Sequence, residues 1–203
     1  FFLLHNLGEE RTRLFDDWGL WDYLAEKKRE GLVRNLGFSI HDKADALEAV
    51  LDAHPEVDFV QLQVNYADWE SETVESRKCY EAARARNLPV VVMEPVKGGS
   101  LVKLPDDAAA VLRNAAPDEP LAAWALRFAA SLPGVLTVLS GMSTPAQVEE
   151  NVRTMRAFRP VGPEERAALD HVRAILDGIP TVPCTDCRYC LKSCPQGVRI
   201  PAA

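Results

Sequence analysis

Short runs rich in apolar residues alternate along this chain with segments whose apolar residues recur every three or four positions. The runs at residues 1–4, 33–40, 59–64, 90–93 and 135–139 are rich in apolar residues, with no polar break at 1–4 or 90–93. Each predicts a strand, and the runs of Val and Leu without alternation suggest burial on both faces, as in a parallel sheet. Between them, Leu14, Trp18, Trp21, Ala25 and Lys28 recur at helical spacing, and Gly31 closes that helix. Asp42 is placed to cap a helix carrying Leu47, Val50 and Leu51 on one face. A helix over 71–86 ends at Asn87, and another spans 119–131 after a longer connection. Thr144, Pro145 and Gln147 form an N-cap, a first-turn proline and a capping-box partner. The helix they start is predicted to bury Val148, Val152 and Met155, and a last helix covers 163–176.

Five strands alternating with helices define an α/β fold and leave two architectures, a doubly wound open sheet and a (β/α)8 barrel. No strand runs into a G-x-G-x-x-G turn, so the dinucleotide fingerprint of the doubly wound class is missing. A glycine-bearing loop, 94–99, follows the fourth strand, and Ser140-Gly141 follows the fifth. Barrels often bind phosphate at the loops after strands seven and eight, which numbers these strands four to eight. A full barrel needs about 250 residues, so roughly three βα units would precede this chain. The start at Phe1 without an initiator Met agrees with a piece of a longer polypeptide. The expectation is a partial barrel over 1–178 and a separate tail over 179–203, with a five-stranded parallel α/β sheet as the alternative.

The net charge of −7 argues against a nucleic-acid or anionic-membrane surface. No apolar run is long enough to span a bilayer.

The tail carries the strongest motif. Cys184, Cys187, Cys190 and Cys194, the last followed by Pro195, have the spacing C-x2-C-x2-C-x3-C-P. That is the ferredoxin run, which binds a 4Fe-4S cluster through thiolates. Zinc usually takes two separated C-x2-C pairs, and disulfides need a secreted setting. A thiolate-rich run with no visible export signal points to a reducing cytoplasm. Cys184, Cys187 and Cys190 are the first three ligands and Cys194 the fourth, with Cys79, in a predicted helix, as the alternative.

Taken in order, His5 after a strand, Gly37-Phe38-Ser39, Gln63-Val64-Asn65-Tyr66, Met93-Glu94-Pro95-Val96, Ser140-Gly141 and Glu149-Glu150-Asn151 resemble the C-terminal half of an aldo-keto reductase. With the cysteine tail, the chain resembles the iron–sulfur subgroup of that family. The resemblance implies hydride transfer between NADPH or NADH and a small carbonyl or alcohol substrate, at the C-terminal face of a barrel. It matches His5 to the catalytic histidine that orients the carbonyl, whereas the family's Tyr, Lys and Asp have no counterpart here. Ser39 and Gln63 match the side chains that bind the nicotinamide carboxamide, although Ile40 stands where Asn usually follows the Ser. Met93 takes the place of an aromatic residue stacked on the nicotinamide. Pro95, Lys97, Gly98, Gly99 and Leu101 match the pyrophosphate loop. Gly141, Gln147, Glu150 and Asn151 match the adenosine end, where neither Gly141 nor Gln147 supplies the basic residue often seen with NADPH. Trp18, Trp21 and Trp124 are expected to pack helices, and Trp69 to edge the pocket.

Three functions are compatible with these features. The first is an NAD(P)-dependent oxidoreductase with one cluster and a possible electron-transfer partner. The second is a non-catalytic electron-transfer or redox-sensing barrel, and the third a zinc-stapled sugar- or phosphate-binding barrel.

Overall fold

A computed structural model describes residues 1–179, 191, 194–196 and 198, without the side chains of residues 9 and 10. Cys184, Cys187 and Cys190 lie outside the described residues. Five strands form the sheet: β1 (Phe2–Leu7), β2 (Leu36–Ile40), β3 (Phe59–Gln63), β4 (Val90–Met93) and β5 (Val135–Val138). All neighbours are parallel, and the order β1-β2-β3-β4-β5 never reverses. Right-handed crossovers in an unreversed order put every connecting helix on the same side of the sheet. A doubly wound sheet needs a reversal to bring helices to its other side, so the topology is not that of a doubly wound sheet.

The packing agrees with the topology. Leu36, Phe38, Ile40, Val60, Leu62, Val90 and Val92 share one core with Leu47, Val50, Ala83, Leu112, Trp124, Phe128 and Leu169 from the helices. Register places Gly37, Ser39, Phe59, Gln61, Gln63, Val91 and Met93 on the opposite, inner face. That face mixes polar and apolar residues, and it is where the resemblance put Ser39, Gln63 and Met93. Near its base a Cβ on Gly37 would come within 2.5 Å of the Phe59 carbonyl and 2.7 Å of its ring. Only glycine lets Phe59 lie so close.

The helices are α1 (Glu9–Asp17), α2 (Leu20–Arg29), α3 (Ala44–Ala53), α4 (Ser76–Ala85), α5 (Asp106–Ala115), α6 (Leu121–Ala130), α7 (Pro145–Arg156) and α8 (Pro163–Asp177). Several sequence expectations need correction. The first predicted helix is two, because Gly19 at φ 63° breaks it between α1 and α2. Trp18 is left exposed at that break, while Trp21 is buried, stacked on His54 and bonded through Nε1 to Asp16. Asp42 does not cap α3; its carboxylate accepts the Lys43 N–H, and Lys43 holds the cap position. Helix α4 starts at Ser76, later than expected, after turns over 71–75. Helix α5 was missed, since its inward stripe of Ala108, Ala109 and Leu112 is mostly alanine and gives little periodic signal. The capping box of α7 forms as predicted. Yet Val148, Val152 and Met155 are each more than two-fifths exposed, because no described residue covers that stripe.

Arg127 of α6, almost wholly buried, ties α6 to the start of α8. Its Nη2 donates to Glu165 at 2.7 Å and its Nε to the Arg159 carbonyl at 3.1 Å. Glu165 also accepts from Arg159 at 2.6 Å and from the Gly162 N–H at 3.0 Å. Burial alone would raise the Glu165 carboxyl, but Arg127, the Gly162 N–H and Arg159 outweigh it and lower it to about 2.

Candidate active site

Parallel strands end together, so their last residues and the following loops converge on one rim. Strand β1 contributes His5. A register shift between Leu4 and Leu7 interrupts its pairing with β2, and Asn6 takes a left-handed φ of 60°. The Asn6 N–H donates to Ser39 Oγ at 2.7 Å, which pins the irregularity. Such a bulge re-aims a side chain, and here His5 is exposed at the rim with Nδ1 3.3 Å from the same Ser39 oxygen.

Ser39 itself is fully buried at the end of β2, with its oxygen shared between Asn6 and His5. Gln63 and Met93 are register partners at the ends of β3 and β4. Met93 is buried, and its sulfur accepts from Gln61 Nε2 at 3.4 Å. Gln63 is half-buried and donates through Nε2 to Asp68 at 2.8 Å. A cavity of about 60 Å³ beside Gln63, lined partly by His41, Asp42 and Cys79, is the size of a water or two rather than a nicotinamide.

The loop after β4 is held by its own bonds. Pro95 and Leu101 are buried, while Gly98 and Gly99 take left-handed φ values of 61° and 93°. The Gly99 and Leu101 N–H groups both donate to the Val96 carbonyl. Lys97 reaches across to the Asp68 carboxylate rather than into solvent. Glu94 and Lys97 are also left-handed, at φ 53° and 49°. With Asn6, that makes three of the five non-glycine residues of this kind among the described residues, so backbone strain is concentrated at the rim.

Beyond β5, Gly141 is exposed and Asn151 donates to Ser140 Oγ at 3.0 Å. Gln147 Oε1 accepts the Ser143 and Thr144 N–H groups, so its acceptor is used by the helix cap. Glu150 is half-buried on the same helix, its carbonyl accepting from Thr154. Trp69 does not edge a pocket; it is buried against Tyr80 and Phe128.

Sequence reasoning overlooked Asp68 and Asn65. Asn65 is fully buried and Asp68 is 2% exposed. The Asp68 N–H donates to Asn65 Oδ1, and Asn65 Nδ2 donates to Asp68 Oδ2, each at 2.8 Å. Asn65 Nδ2 also lies 3.2 Å from the Glu94 carbonyl, joining the loops after β3 and β4. An Asn three residues before an Asp, just past a strand, is the signal that was available.

The sequence pattern of the Aldo/keto reductase family matches residues 4–174. The chain belongs to the aldo/keto reductase family. Solved structures of other aldo-keto reductases share its fold. The holo form of AKR11C1 from Bacillus halodurans superimposes with a TM-score of 0.64 at 23% identity, over 84% of this chain and 60% of that one. An enzyme from Klebsiella pneumoniae, solved in complex with NADPH, gives a TM-score of 0.56 at 20% identity, over 84% of this chain and 57% of that one. One from Brucella melitensis gives 0.62 at 15% identity, over 84% and 59%. No curated protein sequence matches the chain. This aldo/keto reductase chain thus spans about 60% of the length of the structures it resembles. Among its described residues no group of acidic, histidine or cysteine side chains forms a metal site, and no helix is long and apolar enough to cross a membrane.

Proposed function

We propose that this chain forms strands four to eight of the barrel of an NAD(P)H-dependent aldo-keto reductase acting on small carbonyl or alcohol substrates. We propose further that its C-terminal cysteines carry a 4Fe-4S cluster. The reductase reading rests on family membership and on the gathering of His5, Ser39, Gln63 and Met93 at one strand-end rim. The NADPH complex of the Klebsiella pneumoniae enzyme gives it further support.

The dinucleotide, when bound, supplies the hydride. What these residues do is bind and orient. Ser39 Oγ already accepts the Asn6 N–H, so its own hydrogen is available to His5 Nδ1. The neutral ring then carries its proton on Nε2 and presents a donor to a substrate oxygen. Gln63 presents a carboxamide-binding group, Met93 an apolar face beside it, and the loop from Pro95 to Leu101 lies next to the phosphates. Gly141, Gln147, Glu150 and Asn151 lie toward the adenosine end. The family's proton-donating Tyr, with its Lys and Asp, has no counterpart in this sequence. His5 alone therefore does not complete the reaction, and in the family those groups stand on earlier strands of the barrel.

For the cluster, Cys184, Cys187, Cys190 and Cys194 would hold iron through thiolates, and the cluster would supply one-electron chemistry. Cys194 Sγ accepts the Val198 N–H at 3.4 Å, a bond that favours a thiolate. Cys79 is a poor alternative, because burial, with Glu75 nearby, pushes its thiol up to about 11.

Anaerobic iron and acid-labile sulfide analysis, with an NADPH and NADH titration of the same sample, tests both parts. About four irons and four sulfides per chain support the cubane. Zinc without sulfide refutes it. A cluster with no dinucleotide binding replaces the reductase with an electron-transfer or redox-sensing protein.

A further inference from the structure

Asp68 has no role in the reading above, yet it is the most connected side chain at the rim. It is 2% exposed and ion-paired with Lys97 through Oδ1. Its Oδ2 accepts from Gln63 Nε2 and from Asn65 Nδ2, each at 2.8 Å. Resting on the proposed cofactor site, we infer that Asp68 is a positioning residue that sets the polarity of the Gln63 amide and so makes the site select a carboxamide N–H donor.

A carboxylate paired with an ammonium only accepts hydrogen bonds. A glutamine amide has one donating end and one accepting end, and either can face a given partner unless something fixes it. Asp68 fixes it: the NH2 group of Gln63 must turn toward the carboxylate, leaving Oε1 on the other side. Among the described residues no donor reaches Gln63 Oε1. That oxygen faces the site as an acceptor and takes an N–H from the ligand, which the nicotinamide carboxamide offers. The amide cannot turn over without bringing its oxygen against Asp68. Asn65 cannot take over the task, since its own amide is fixed by Asp68, the Asp68 N–H and the Glu94 carbonyl. Lys97 holds the other carboxylate oxygen, so one buried charge links the nicotinamide-end residue to the loop assigned to the pyrophosphate.

The test compares NADP+ with its 3-acetylpyridine analogue, in which a methyl group replaces the carboxamide NH2. Calorimetric titration of the full-length protein gives both dissociation constants. The wild type should bind NADP+ about tenfold more tightly, the worth of one hydrogen bond to an otherwise unpaired acceptor. Equal affinities in the wild type overturn the inference without any variant. In Asp68→Ala the freed amide can turn either end to the ligand, and the ratio should fall to about twofold or less. A folded Asp68→Ala protein that keeps the wild-type ratio also overturns it, whatever happens to overall affinity. If that variant does not fold, the wild-type ratio decides. Binding of neither dinucleotide to the wild type refutes the cofactor site itself, and is told apart from the other failures by the absence of any heat of binding.

Discussion

Glu165→Gln tests the joint between α6 and α8. In the folded chain the Glu165 carboxyl titrates at about 2 against an ordinary 4.5, because Arg127, the Gly162 N–H and Arg159 together outweigh its burial. At 1.36 kcal/mol per pH unit, that difference corresponds to at most about 3 kcal/mol of folding stability near neutral pH. The folded value is depressed, so this contribution is present above pH 4.5 and is lost as pH falls through about 2. At pH 3 about 1.5 kcal/mol should remain. Removing one partner of a buried ion pair can cost more, about 3–5 kcal/mol. Here Glu119 stays 3.5 Å from Arg127 Nη1, so the guanidinium is not stranded and the smaller figure applies. Urea unfolding of both proteins at pH 7, 5 and 3 measures the effect. The gap should be constant between pH 7 and 5 and about halved at pH 3. A gap below about 0.5 kcal/mol at pH 7, the size of a surface substitution, would refute the reasoning. So would a gap that does not narrow on acidification.

Two further outcomes follow from the core. Gly37→Ala should destabilise the chain by about 1–3 kcal/mol, because the new methyl group meets both the carbonyl and the ring of Phe59; unchanged denaturant midpoints would contradict the close packing. Cys79, buried and with its thiol pushed up to about 11, should resist iodoacetamide at pH 8 in the native state and react once the chain is unfolded; rapid native labelling traced to Cys79 by peptide mapping would contradict its burial.

The strands were legible because each is a short apolar run between turn residues, and β4 was read to the residue. The unreversed strand order was not written in those runs. It emerged from the topology, which rules out a doubly wound sheet. What failed to show locally failed for local reasons. Gly19 stands inside an otherwise continuous helical pattern, and sequence gives no sign that it turns left-handed. Alanines on α5 bury too little to mark a stripe. On α7 the stripe was read correctly, but whether it is covered depends on neighbours far along the chain. At the rim, the ordered motifs singled out His5, Ser39, Gln63 and Met93, which stand at or near the strand ends. They could not show that Lys97 is bound to Asp68. That contact depends on a side-chain direction that spacing does not encode, whereas the Gln147 cap was readable from the capping-box spacing.

The one-sided core separates two kinds of information within each strand. Odd and even positions answer to different masters: one set meets the helices and decides whether the chain folds, the other meets the interior and decides what it handles. In β3 the two are interleaved residue by residue, with Val60 and Leu62 facing the helices and Gln61 and Gln63 facing inward. A lineage can therefore redraft the inner alphabet at Ser39, Gln61, Gln63 and Met93 while the outer one stays untouched. Libraries randomised at inner positions alone should yield far more folded variants than libraries of equal size randomised at outer ones.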